Sequence, residues 1–118
     1  MAVIKIKNLR LRTIIGINAD ERIKRQDIVI NIKIQYNDSG AVNNDTVEQA
    51  INYKKITKQI INFVEESHFH MLEKLVDEVI NIILQEKKVQ KTQVTIDKPH
   101  ALRFADSVSV TKTRKKSK

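Results

Sequence analysis

Four polar side chains interrupt or border apolar runs and are of types that exchange protons: Glu21, Tyr53, Glu73 and Lys98. Carboxylates, phenols and amines act as general acids and bases once their neighbours tune them. Each also has an ordinary reading. Glu21 lies in a charged stretch where a carboxylate is normally solvated. Tyr53 opens an amphipathic segment, Glu73 is a first-turn acid suited to a helix dipole, and Lys98 stands where a strand meets Pro99. Two other groupings carry less. His68 and His70 beside Glu65, Glu66 and Glu73 have the side chains of a metal cluster, but an i, i+2 pair does not share a helical face. The chain also has no cysteine to add a thiolate, so no metal is expected. Ser107 beside Asp106 lacks the elbow that a hydrolase nucleophile needs.

The elements that must position these residues follow from apolar periodicity. Val3, Ile4, Ile6, Leu9 and Leu11, followed by Ile14 and Ile15, predict a strand with an irregularity that ends at Gly16. Ile28, Ile30, Ile32, Ile34 and Tyr36 repeat with a period of two, which predicts a strand closed by a turn at residues 37–40. From Asn52 the period lengthens. Tyr53, Ile56, Ile60 and Val64 predict a helix to about Ser67, and Leu72, Leu75, Val76, Val79, Ile80 and Ile83 predict a second, with Lys87 and Lys88 at its end. Val94 with Ile96, and Val108 with Val110, predict two more strands. The order strand, strand, helix, helix, strand, strand implies an α+β domain, helices packed on one face of a largely antiparallel sheet. Its other face and both edges need cover, and in so small a chain self-association supplies it.

With 118 residues, the chain has room for one core. Hydrophobic residues make up 41% and Gly plus Pro number three, which excludes fibrous and low-complexity classes. The lack of cysteine fits a cytoplasmic location, and no apolar run approaches the length of a membrane span. The net charge of +8 raises the question of an anionic partner. Much of the excess sits in Lys112, Arg114, Lys115, Lys116 and Lys118, read as a basic tail (112–118) frayed from a domain spanning 1–111. Three Phe and two Tyr are too few for a base-stacking surface, so a nucleic-acid-binding module is the remote reading.

Ordered along the chain stand Asn8-Leu-Arg-Leu-Arg-Thr13, Ile15-Gly-Ile17, Arg25-Gln-Asp-Ile-Val-Ile-Asn31, Asn52-Tyr53, Leu72-Glu-Lys-Leu75, Asp97-Lys98, His100-Ala-Leu-Arg103 and Ala105-Asp-Ser-Val-Ser109. This set, spanning Ile4 to Thr111, resembles the dihydroneopterin aldolase family. The triplet His-Ala-Leu followed by Arg103 and Ala-Asp-Ser-Val points to the branch that epimerises dihydroneopterin triphosphate, with the aldolase branch as the alternative.

The resemblance implies a T-fold (ββααββ) closing into an oligomeric barrel, a homo-octamer of two stacked tetramers, with a pterin substrate and no cofactor. It implies that the Glu73 carboxylate accepts two hydrogen bonds from the pterin edge, helped by main-chain groups of Leu72 and Tyr53. It further implies Lys98 as the base, activated by desolvation or neighbouring cations, Glu21 holding the side-chain hydroxyls and a water, and Tyr53 as proton relay, the sites lying between subunits. Arg22, Lys24, Arg25 and Arg103, close in sequence to Glu21 and Lys98, are the candidate partners of the triphosphate.

Overall fold

The computed structural model describes residues 1–116, the side chain of Gln49 apart. The strands β1 (Ala2–Thr13), β2 (Gln26–Tyr36), β3 (Val89–Lys98) and β4 (Val108–Lys115) form one antiparallel sheet in the order β1-β2-β3-β4. Between β2 and β3 run a short helix α1 (Ser39–Asn44), a single 3-10 turn (Val47–Gln49), and the helices α2 (Tyr53–Glu66) and α3 (Leu72–Leu84). A second 3-10 turn, Asp20–Arg22, sits between β1 and β2. The α+β order and the single helix-covered face agree with the sequence pattern.

The core forms where the two periodicities meet. Ile28, Ile30, Ile32 and Ile34 of β2 and Thr92, Val94 and Ile96 of β3 point inward, against Ile56, Ile60 and Val64 of α2 and Leu75, Val76, Val79, Ile80 and Ile83 of α3. Removing one such side chain to alanine costs ~2–5 kcal/mol in typical cores. β1 carries the irregularity that its sequence announces. Ile4 and Ile6 face the core at even positions, Leu9 and Leu11 at odd ones, and the register shifts between Ile6 and Leu9. The extra residue is absorbed at Asn8, whose φ of 55° is tolerated by asparagine better than by most residues. The Asn8 amide donates to Asn31 Oδ1 at 2.9 Å, so the bulge is tied to the neighbouring strand.

Three local expectations change. Asn37 does form a turn, its Oδ1 accepting the Ser39 amide at 3.0 Å, but the turn leads into α1 rather than closing the connection. Lys88 does not cap α3, which ends at Leu84; its ammonium donates to the carbonyls of Glu48 and Ala50 at 2.6 and 3.1 Å. The largest change is at the C-terminus. β4 continues past Thr111 to Lys115, so the basic segment lies largely in the sheet; only residues 117 and 118 of that tail are outside the described residues. Lys112 and Arg114 point toward the helices, where Asp77 of α3 meets both, at 2.6 and 3.1 Å. Lys112, with Arg114, holds the Asp77 carboxyl below its ordinary range.

Candidate active site

At one end of the sheet the strand ends Thr13 and Lys98 meet the loops 14–25, 67–71 and 99–107. Thr13 fixes the first of these joints. Its buried hydroxyl lies 2.7 Å from the carbonyl of Val64 and 2.9 Å from that of Ser67, which ties β1 to the C-terminus of α2. Beyond it the chain turns at Gly16, whose amide donates to the Phe69 carbonyl at 3.2 Å. Gly16 has a φ of 131°, a conformation open mainly to glycine, and a Cβ at this position would fall on the Glu21 carboxylate. Glycine is therefore required twice, for backbone shape and for the approach of an acid.

Glu21 folds back over that turn. Its Oε1 accepts the amides of Ile17 and Asn18 at 3.1 and 3.2 Å, and its Oε2 accepts the Lys98 ammonium at 2.8 Å. Lys98 can reach it because even-numbered residues of β3 face the helix side of the sheet, where Ile96 and Val94 are buried. The pair is largely shielded, the side chains being 13% and 25% exposed for Lys98 and Glu21. The Lys98 hydrogen bond, with help from the two amides, holds the Glu21 carboxyl down at about 2 against desolvation that pushes it up. The charge beside Lys98 is thus the Glu21 carboxylate.

Two elements away, α3 begins at Leu72, which is buried, with Glu73 exposed in its first turn. The first amides of any helix lack internal acceptors, so Glu73 presents a carboxylate beside open N–H groups. The start of α3 is held near Glu21 by Arg22. Its Nη1 donates to the carbonyls of Gly16 and Phe69 at 3.2 and 3.1 Å, and its Nη2 to that of His68 at 2.6 Å. Arg22 therefore clamps the loop carrying Glu21 to the loop entering α3. Arg25 likewise donates to the Glu65 carbonyl at 2.7 Å, near the C-terminus of α2. Of the four basic residues singled out in the sequence, Lys24 and Arg103 are exposed and, among the described residues, lack such anchoring to a carbonyl; the Arg103 guanidinium lies 5.4 Å from the centre of the Phe104 ring.

Tyr53 is not at this end. It opens α2, half-exposed, whereas the other end of α2 joins Thr13; 13 residue rises separate Tyr53 from Glu66, about 20 Å. One chain thus brings Glu21 and Lys98 together, keeps Glu73 one loop away, and leaves Tyr53 remote. The loops here expose Ile17, Ile23, Met71, Leu102 and Phe104, an apolar surface.

Sequence reasoning missed Gly16 as the seat of the carboxylate, although a glycine ending a strand is a visible signal. It also missed a cavity of about 310 Å³ bordered by Arg10, Arg12, Asp27 and His100, beside Pro99. The Ser107 hydroxyl donates to Asp97 Oδ2 at 2.8 Å and closes the 99–107 loop. Among the described residues, no three of His, Asp and Glu converge as a metal site would require.

Against known proteins, the dihydroneopterin aldolase profile matches residues 4–113. The chain is 47% identical to a dihydroneopterin triphosphate 2'-epimerase of Pseudomonas aeruginosa, over 94% of this chain and 90% of the relative. It is 50% identical to the enzyme of that name from Escherichia coli, over 93% and 92%. Its fold superposes on the Escherichia coli dihydroneopterin aldolase, solved in complex with neopterin, with a TM-score of 0.91 at 25% identity, covering 97% of this chain and 99% of that one. That architecture is the T-fold implied by the sequence resemblance. By profile, by identity over nearly its whole length and by fold, the chain belongs to the dihydroneopterin aldolase family.

Proposed function

We propose that this protein inverts C2' in the side chain of 7,8-dihydroneopterin triphosphate, giving the dihydromonapterin epimer. The observation that carries this reading is the contrast in likeness: 47% and 50% identity to epimerases, against 25% to an aldolase of the same fold. In the proposed reaction Glu73 anchors the pterin through its N–H and amino edge, helped by main-chain groups of Leu72 and of Tyr53 from a neighbouring chain. Lys98 takes the 2'-hydroxyl proton, directly or through a water held by Glu21. The C1'–C2' bond then breaks, and its electron pair moves into the N5=C6 imine of the dihydropterin. The ring supplies its own electron sink, so the scheme calls for no cofactor. The aldehyde fragment turns, C1' attacks its other face, and the proton returns through Tyr53.

Lys98 donates to Glu21 in the free protein, so it must lose a proton before it can accept one. Arg103 and Lys24, and to a lesser degree Arg22 and Arg25, are the proposed partners of the phosphates. We place the enzyme in the cytoplasm as a homo-octamer of two stacked tetramers; no helix among the described residues is long and apolar enough to cross a membrane. The test is incubation with 7,8-dihydroneopterin triphosphate and, separately, with 7,8-dihydroneopterin, followed by chromatography. Epimer from the triphosphate is the expected product. Glycolaldehyde and 6-hydroxymethyl-7,8-dihydropterin as the main products would move the assignment to an aldolase.

A further inference from the structure

The sheet face opposite the helices carries a charge pattern that the reaction does not use. Antiparallel register lines its side chains up in rows across the four strands: Val3, Gln35, Lys91 and Lys115 in one, and Lys5, Lys33, Gln93 and Thr113 in the next. Both rows lie at the end of the sheet away from Glu21 and Lys98. Within them Lys5 stands directly opposite Lys33, and Lys91 directly opposite Lys115. Like charges in directly opposed positions destabilise a sheet, and here neither row holds a carboxylate to relieve them. The ion pairs among the described residues use Arg12, Lys74, Lys98, Lys112, Arg114 and the amino terminus, and none of these four lysines.

Depressions separate the lysines: one of about 270 Å³ around Lys5, Lys7 and Lys33, and one of about 210 Å³ around Lys33 and Lys91. Gln35, Gln93 and Thr113 border the second, adding uncharged donors between the ammonium groups. With strands about 4.8 Å apart, the two rows span about 14 Å across the sheet and about 7 Å along it. Such a footprint accommodates one chain of a few phosphates. The rows hold no aromatic side chain on which a base could stack, which disfavours a single-stranded nucleic acid.

We propose that this lysine-lined face binds a small polyphosphate anion, free or as the phosphate chain of a nucleoside triphosphate, at a site separate from the one formed by Glu21 and Lys98. Bound there, the anion neutralises both opposed lysine pairs, and because it binds only the folded sheet it raises the melting temperature. Melting curves and titration calorimetry with inorganic tripolyphosphate at constant ionic strength test this on the full chain. The wild type should bind tripolyphosphate and melt several degrees higher in its presence. A Lys33→Gln, Lys91→Gln double variant should bind at least ten-fold more weakly, melt no lower than the wild type without the anion, and keep its turnover of pterin. Lys5→Gln, on an edge strand, is the milder variant and should also weaken binding. Arg103→Ala, at the far end of the sheet, should lose at most the anion that the pterin site takes and keep the binding that the lysine variants weaken. Unweakened binding by both lysine variants, no binding by the wild type, or loss of that lysine-dependent binding in Arg103→Ala would each overturn the proposal. Tighter binding of a single-stranded oligonucleotide than of tripolyphosphate would overturn it in favour of a nucleic-acid surface. A GTP arm separates the two sources of the ligand: displacement of tripolyphosphate by GTP means that the face takes nucleotides, and its absence that it takes the free anion.

Discussion

The contact between Glu21 and Lys98 joins two side chains 77 positions apart, and its strength depends on a residue with no side chain. Gly16→Ala puts a methyl group where the Glu21 carboxylate lies and also strains a backbone with φ of 131°. It should lower the melting temperature and abolish turnover together, because the carboxylate must leave for the methyl to enter; an alanine variant with normal activity would mean that Glu21 has no part in the chemistry. Glu21→Gln keeps the shape and removes the charge, so it isolates the electrostatics. The folded carboxyl, held at about 2, lies below its ordinary 4.5, so its stabilisation is complete above pH 4.5 and is lost as pH falls toward 2. Discounted for partial exposure, this is on the order of 1–2 kcal/mol. Urea unfolding of both proteins from pH 7 to pH 2.5 should show the advantage of the wild type constant down to about pH 4.5 and shrinking below it. An advantage that persists at the acid end would place the effect in shape, not charge.

Among the elements, β4 departs furthest from its sequence-based expectation, and the reason is physical. Thr111, Lys112, Thr113, Arg114 and Lys115 have the composition of a solvated tail, yet alternation by two is present, with Lys112 and Arg114 on the inward face. Their partners, Asp77 and Asn81, lie on a helix far upstream, and a charge pair of that range leaves no local mark in the sequence. Patterns that bury apolar surface were legible: the isoleucines of β2, the broken period of β1, and the stripes of α2 and α3. Those that satisfy polar groups were not. The helix α1 has no apolar stripe, Lys88 caps a 3-10 turn, and Arg22 spends its donors on carbonyls although its place beside Glu21 suggested a phosphate. Glu21, Glu73 and Lys98 stood out by bordering apolar runs, but only the family resemblance joined them, since spacing alone could not. Ending the chain after Thr111 should therefore lower the melting temperature by several degrees, as it removes half of a strand and both partners of Asp77. Asp77→Asn should reproduce a smaller part, about 0.5–1 kcal/mol for partly exposed pairs. If the truncated protein melts with the full chain, the segment after Thr111 contributes nothing to the fold.

For the molecule as a whole, the geometry of one chain leaves the proposed site without Tyr53. The protein is elongated, 52 × 26 × 24 Å, with Glu21, Lys98 and Glu73 toward one end and Tyr53 about 20 Å of helix away from the joint at Thr13. Five apolar side chains lie exposed in the loops that surround the site, Phe104 at 94%. The outer edges of β1 and β4 pair with no strand among the described residues. A second chain docked against this end would cover the apolar loops and could bring its own Tyr53 to the Lys98 of the first. Two inactive variants then become complementary. Lys98→Ala retains Tyr53 and Tyr53→Ala retains Lys98, so a site formed across their boundary has both groups. With random exchange from equal amounts, about a quarter of the sites would be intact, whereas a site built within one chain would recover none. The measurement is the epimerase rate after the two variants are mixed, dissociated in mild urea and reassembled, with each variant treated alone as control. Recovery near a quarter of the wild-type rate is expected, together with sedimentation of the active species as an oligomer. No recovery from variants that do exchange subunits, or activity that sediments with a monomer, would return the whole site to one chain and remove Tyr53 from it.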